Sequence, residues 1–195
     1  MTRRWIKMLK EIFRKRTEKA NGAHGKIGFG PNHIVVEVRR AKRDEYGNSL
    51  HDEFGNVIYE EELEIYENFN VTNNTGLEAA KDRLFNSATE QTVADYLALS
   101  EDTGAPAATH TVLTGEITKS GLARALADYS VADCGTGECI LSKKFTATAS
   151  IAAVQKEALF DTSSAGDMYF EATFTAVALE SDDQLTAKWD KIKMS

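Results

Sequence analysis

A mainly β fold is predicted by three features of this 195-residue sequence. The first is alternation. Met168, Phe170, Ala172, Phe174 and Ala176 fall on one side of the segment 168–179, and Glu171, Thr173 and Thr175 fall on the other. That period of two marks a strand with one buried face. The second is a like pattern in which Leu141, Phe145, Ala147, Ala149 and Ile151 alternate with Ser142, Thr146, Thr148 and Ser150; it reads as the clearest strand of the chain. The third is composition. There are only two prolines, and the strand formers Thr, Val, Ile, Phe and Tyr dominate after position 140. Residues 168–179 and 185–194 are expected to form a hairpin around the turn Glu180–Gln184. Within its second strand Leu185, Ala187 and Trp189 share a parity that Ile192 and Met194 do not, which implies either a bulge or the end of pairing near Asp190. A hairpin of this size is not stable alone in water, so it requires a second sheet or a partner chain.

The hydrophobic fraction of 42% suffices for a core, and the length suits one domain with a small appendage. No apolar run of membrane-spanning length occurs, and no secretory signal is read at the N-terminus. The net charge of −7 conceals an asymmetry. Residues 1–19 carry eight basic side chains against Glu11 and Glu18, a formal +6, which leaves −13 on the remainder. An acidic body of this kind does not wrap nucleic acid.

Residues 1–22 are read as a basic amphipathic helix or arm. Trp5, Leu9, Ile12 and Phe13 recur at helical spacing among Arg3, Arg4 and Lys7, and Asn21-Gly22 supplies a stop. In one reading the stripe packs on the domain. In the other it docks on a protein of opposite charge, with membrane-surface or nucleic-acid binding as the remaining alternatives. Residues 23–32 form a glycine-rich linker that lacks the Gly-Lys-Ser/Thr of a phosphate loop. The domain proper is assigned to 33–195.

Within it, residues 33–40 read as a strand, followed by two turns at Tyr46-Gly47-Asn48 and Phe54-Gly55-Asn56. The acidic residues around those turns, Asp44, Glu45, Asp52 and Glu53, lack calcium-loop spacing and read as a solvated hairpin tip. Val57–Tyr66 reads as a strand, 77–85 as a helix with Leu77, Ala80, Lys81 and Leu84 in period, and Gln91–Leu99 as a strand. Leu113–Arg124 reads as a short helix or a strand edge. Cys134 and Cys139 flank a tight turn, where free thiols and a disulfide both remain open. The histidines His24, His33, His51 and His110 are scattered singly, so no metal site is assigned. Neither Gly-x-Ser-x-Gly nor His-Glu-x-x-His occurs, and no catalytic residue or cofactor is assigned.

The order of several short motifs resembles a family of virion structural proteins of tailed bacteriophages and related viruses. They are Asn70-Val-Thr-Asn-Asn-Thr-Gly76, Tyr96-Leu-Ala-Leu, Thr103-Gly-Ala-Pro-Ala-Ala-Thr-His-Thr111, Leu113-Thr-Gly-Glu-Ile117 and Gly121-Leu-Ala-Arg124. Phe145-Thr-Ala, Glu157-Ala-Leu-Phe-Asp161 and Ala178 through Trp189 complete the set. The chain departs from the family pattern at Leu97–Ser100 and at Ala158, where glycines are usual. The resemblance implies an antiparallel β-sandwich of jelly-roll type that assembles as a homo-oligomer on a capsid or tail. It further implies a non-enzymatic decoration, cement or appendage role in the virion, with assembly in the host cytoplasm. Other virion proteins would then be the partners, direct nucleic-acid contact is not expected, and no segment spans a membrane. A carbohydrate- or receptor-binding β-sandwich module is the alternative; Tyr46, Phe54 and Tyr129 are the aromatic points that would serve it.

Overall fold

The computed structural model describes residues 33–85, 93–132, 134–136 and 138–193. The arm at 1–22, with Arg3, Arg4, Trp5, Lys7, Leu9, Ile12 and Phe13, and the linker at 23–32 lie outside the described residues. Ten strands and one helix follow in the order β1 (His33–Ala41), β2 (Tyr59–Phe69), β3 (Val71–Thr72), α1 (Asn74–Phe85), β4 (Tyr96–Ser100), β5 (Ala125–Leu126), β6 (Asp128–Ser130), β7 (Glu138–Thr146), β8 (Ile151–Phe160), β9 (Met168–Leu179) and β10 (Gln184–Lys193). They build two five-stranded antiparallel sheets, ordered β2-β1-β10-β7-β6 and β3-β9-β8-β4-β5.

The sheets face each other across one core, because each contributes an alternating apolar side. Ile34, Val36 and Val38 of β1 and Leu185, Ala187 and Trp189 of β10 are buried from the first sheet. Leu97, Leu99, Leu159, Phe170 and Ala172 meet them from the second. Phe170 and Trp189 lie with ring centroids 5.6 Å apart. Fully burying such side chains stabilises the fold by roughly 1.5–3 kcal/mol each. The second sheet is covered on its other side too: the loop after β4 packs Leu113 over Ala98, Ala158, Phe160 and Met168. Its central strands are therefore buried on both faces.

The single strand read at 141–151 is two: β7 ends at Thr146, the chain bends through 147–150, and β8 begins in the opposite sheet. Alternation runs through this corner because Ala147 remains buried while the backbone changes layer. The terminal hairpin is not a hairpin. β9 and β10 belong to different sheets, and residues 180–183 carry the chain between them. Along β9 the register against β8 slips three times, so Met168 joins the outer cluster and Ala176 is exposed. The bulge near Asp190 is present as a register shift between Trp189 and Ile192.

Residues 93–95 precede β4 rather than belonging to it. The segment 113–124 is neither helix nor strand beyond one bridge from Glu116 to Ser100; Leu113, Ile117 and Leu122 nonetheless bury their side chains. α1 begins at Asn74 and turns Ala79 toward the core, leaving Leu77 exposed. Its Gly76 sits against β9, where an added Cβ would lie 2.6 Å from the Tyr169 carbonyl oxygen. No helix among the described residues is long and apolar enough to cross a membrane.

One core position is charged in sequence. Glu157 pairs across the sheet with Leu99 and Ala172, shares their inward face and is fully buried. Neither carboxyl oxygen has a hydrogen-bond partner among the described residues, and burial pushes its pKa up to about 8. The folded state thus holds the acid neutral, while the unfolded chain ionises in the usual carboxyl range. This contribution is intact at low pH and is lost as pH rises toward 8, to a ceiling of about 5 kcal/mol. Urea denaturation from pH 5 to 9 should show that decline, and Glu157→Leu should flatten it and raise stability at pH 9 by a few kcal/mol. A flat wild-type profile would show that the carboxyl is charged in the folded state.

Candidate interaction surfaces

The far end of the β1–β2 pair carries two lobes built from an eight-residue repeat, Asp44-Glu-Tyr-Gly-Asn48 and Asp52-Glu-Phe-Gly-Asn56. In each the aspartate carboxylate accepts the turn's own donors. Asp44 Oδ1 takes the amides of Tyr46 and Asn48, each at 2.9 Å, and Asp52 Oδ1 takes those of Phe54 and Asn56 at 2.9 and 2.8 Å. The side-chain amides of Asn48 and Asn56 close the other carboxylate oxygen at 3.0 Å. These bonds, the asparagine side-chain amide first, hold both aspartates below the usual carboxylate range. Gly47 and Gly55 adopt φ of 85° and 82°, which glycine reaches without strain.

Where the lobes and the stem meet, three backbone bonds close a ring. Leu50 N donates to Lys42 O, Ile58 N to Leu50 O and Lys42 N to Ile58 O, at 2.7–2.8 Å. Each lobe thus projects one aromatic ring: Tyr46 and Phe54 are both 80% exposed. The first lobe is clamped at its base. The buried Asp183 carboxylate accepts Arg40 Nη1 (3.0 Å), Arg43 Nη2 (3.1 Å), Ala41 N (2.9 Å) and Glu180 N (3.1 Å). Arg40 forks onto Glu64 at 2.9 Å through two nitrogens, and that pair raises the Arg40 pKa and lowers the Glu64 pKa. Ser49 Oγ donates to Asp182 at 2.7 Å. Asp182 and Asp183, both within the turn Glu180–Gln184, therefore anchor the lobed end to the inter-sheet crossing.

Both opposite edges of the sandwich carry exposed apolar side chains. Edge strand β2 turns Leu63, Ile65 and Phe69 outward, while Glu64 and Tyr66 take the inner side. At the other edge, β5 and β6 with the following turn expose Leu126, Tyr129 and Val131. Cys134 and Cys139 lie near this edge as free, half-buried thiols, and burial pushes the Cys139 thiol up.

A buried charged cluster lies on the outer side of the second sheet. Lys156 Nζ donates to Asp102 Oδ2 (2.5 Å) and Glu171 Oε1 (2.9 Å), and Glu171 Oε2 meets His110 Nδ1 at 2.8 Å. Desolvation works against the Lys156 charge, but the two carboxylates outweigh it and its pKa is raised; the Lys156 hydrogen bond lowers that of Asp102. Asn73 ties the start of α1 to the same loop by donating to the carbonyls of Ala107 and His110. Beside it Arg124 lies 3.5 Å over the Phe160 ring and forks onto Glu116.

None of the charged cluster, the repeat or the edge distribution was assigned from sequence; of these, only the repeat has a local signal, its eight-residue period. Among the described residues no three His, Cys, Asp or Glu side chains converge as a metal site. Asp183→Ala should cost about 1–3 kcal/mol of unfolding free energy in denaturant titrations, because it leaves the Ala41 and Glu180 amides without their acceptor, and should expose the 41–49 amides to hydrogen exchange. No family model, no curated protein and no solved structure matches the chain.

Proposed function

We propose that the chain is a non-enzymatic virion structural protein, a jelly-roll sandwich that decorates, cements or extends a capsid or tail and works by binding copies of itself and neighbouring virion proteins. The observation that carries this reading is the placement of exposed apolar residues on both edges. Leu63, Ile65 and Phe69 on one side and Leu126, Tyr129 and Val131 on the other give each copy two different sticky flanks. Unlike flanks join head to tail, and such contacts close into rings when the rotation permits. The ordered motifs from Asn70 to Trp189 support the virion assignment. The arm at 1–22 then docks its Trp5, Leu9, Ile12 and Phe13 stripe on an acidic-rimmed groove of a partner, with the aromatic anchors carrying most of the binding.

A second reading, a carbohydrate- or receptor-binding module, is favoured by one feature, the paired aromatic tips. Rings held on rigid turns present flat apolar faces at low entropic cost.

Sedimentation of the full chain is expected to show an oligomer that Ile65→Asp combined with Tyr129→Ser reduces to monomer. An unchanged distribution would sink the edge-to-edge reading. Deleting residues 1–22 should leave a folded, soluble domain that no longer joins the particle; an unfolded product would make the arm part of the core. Glycan binding abolished by Tyr46→Ser with Phe54→Ser, with the oligomer intact, would decide for the second reading.

A further inference from the structure

Lys156 stands on β8 and is closed over by the loop after β4. Its side chain and that of Glu171 are each 1% exposed, and that of Asp102 is 24% exposed. The Lys156 amine lies within hydrogen-bond distance of both carboxylates, 2.5 Å from Asp102 Oδ2 and 2.9 Å from Glu171 Oε1. The Gly104 amide donates to Asp102 Oδ2 at 3.1 Å, where negative charge would develop on the carboxyl oxygen during attack. Lys156 and Glu171 are held almost wholly out of water, where keeping separate charges is costly.

We propose that Lys156 and Asp102 become joined by a self-catalysed isopeptide bond, with Glu171 as the proton carrier. Glu171 Oε1 takes a proton from Nζ and passes it to the Asp102 carboxyl. The freed lone pair on Nζ attacks Cγ of Asp102, and the Gly104 amide steadies the resulting oxyanion. Glu171 removes a second proton from nitrogen and returns it to the departing oxygen, which leaves as water through the exposed side of Asp102. One N–C bond forms and one C–O bond breaks. An ammonium and a carboxylate become an amide and a water, so atoms and charge balance without any oxidant or cofactor. In bulk water hydrolysis prevails because the separated ions are well solvated; here they are not, so the neutral amide is preferred. Glu171 keeps His110 as its partner afterwards. Because the reactants begin as an ion pair, the step is slow and occurs once per chain.

The test is the intact mass of the purified full chain, followed over time after folding. The expected result is a species lighter by one water, and proteolysis yielding a branched peptide that joins the segments containing Lys156 and Asp102. Lys156→Arg and Asp102→Ala should keep the full mass, and Glu171→Gln should form the bond roughly 100-fold more slowly. Natively folded wild-type chain that retains its full mass after prolonged incubation overturns the proposal, and needs no variant to do so. Bond formation at an undiminished rate in Glu171→Gln removes Glu171 from the mechanism.

Discussion

The sandwich is held in register by one buried carboxylate. Asp183 lies where the chain leaves β9 for the opposite sheet, and its oxygens are filled by two arginines and two backbone amides from β1, the first lobe and the crossing itself. Each of those donors would be costly to bury unpaired. The crossing therefore cannot relax without releasing the end of β1, and the lobes cannot shift without uncovering the crossing. Apolar contact between the sheets supplies most of the stability, and its close packing resists slides; the carboxylate adds a directional lock at this end.

What the sequence conveyed well was the local period. β1, α1, β10 and its bulge follow from alternation, helical spacing and a parity change within ten or so neighbouring residues. What it concealed was which layer each strand joins. The alternation from Leu141 to Ile151 continues across a corner, because a buried alanine at the bend satisfies the pattern in either sheet. Residues 168–193 look like a hairpin for the same reason: a short acidic turn suits two paired strands and a change of layer equally. Glu157 was hidden because Ile151–Phe160 does not alternate in sequence, so no strand is read there and nothing assigns the glutamate an inward direction.

The charged cluster around Lys156 was illegible in a different way. Asp102 is 54 residues from Lys156, and His110 is 61 from Glu171, so no spacing rule could join them. Many of the residues that carry the resemblance to virion proteins turn out to brace the outer side of the second sheet. Asn73 and Gly76 seat α1, and Arg124 grips Glu116 and the loop at 162–165; Gly121, with φ of 76°, instead passes β7 of the first sheet, so near the Thr146 carbonyl that no side chain fits. Such motifs speak for the architecture more than for a ligand.

The two-lobed end has a consequence for how this chain can vary. Its repeating unit is eight residues, an even number. Gaining or losing one whole unit preserves the pleat parity of both stem strands, so no side chain of β1 or β2 is turned inside out. A hairpin end built this way can change its reach, and the number of aromatic rings it offers, by duplication or loss of a short stretch of coding sequence while the layers beneath stay as they are.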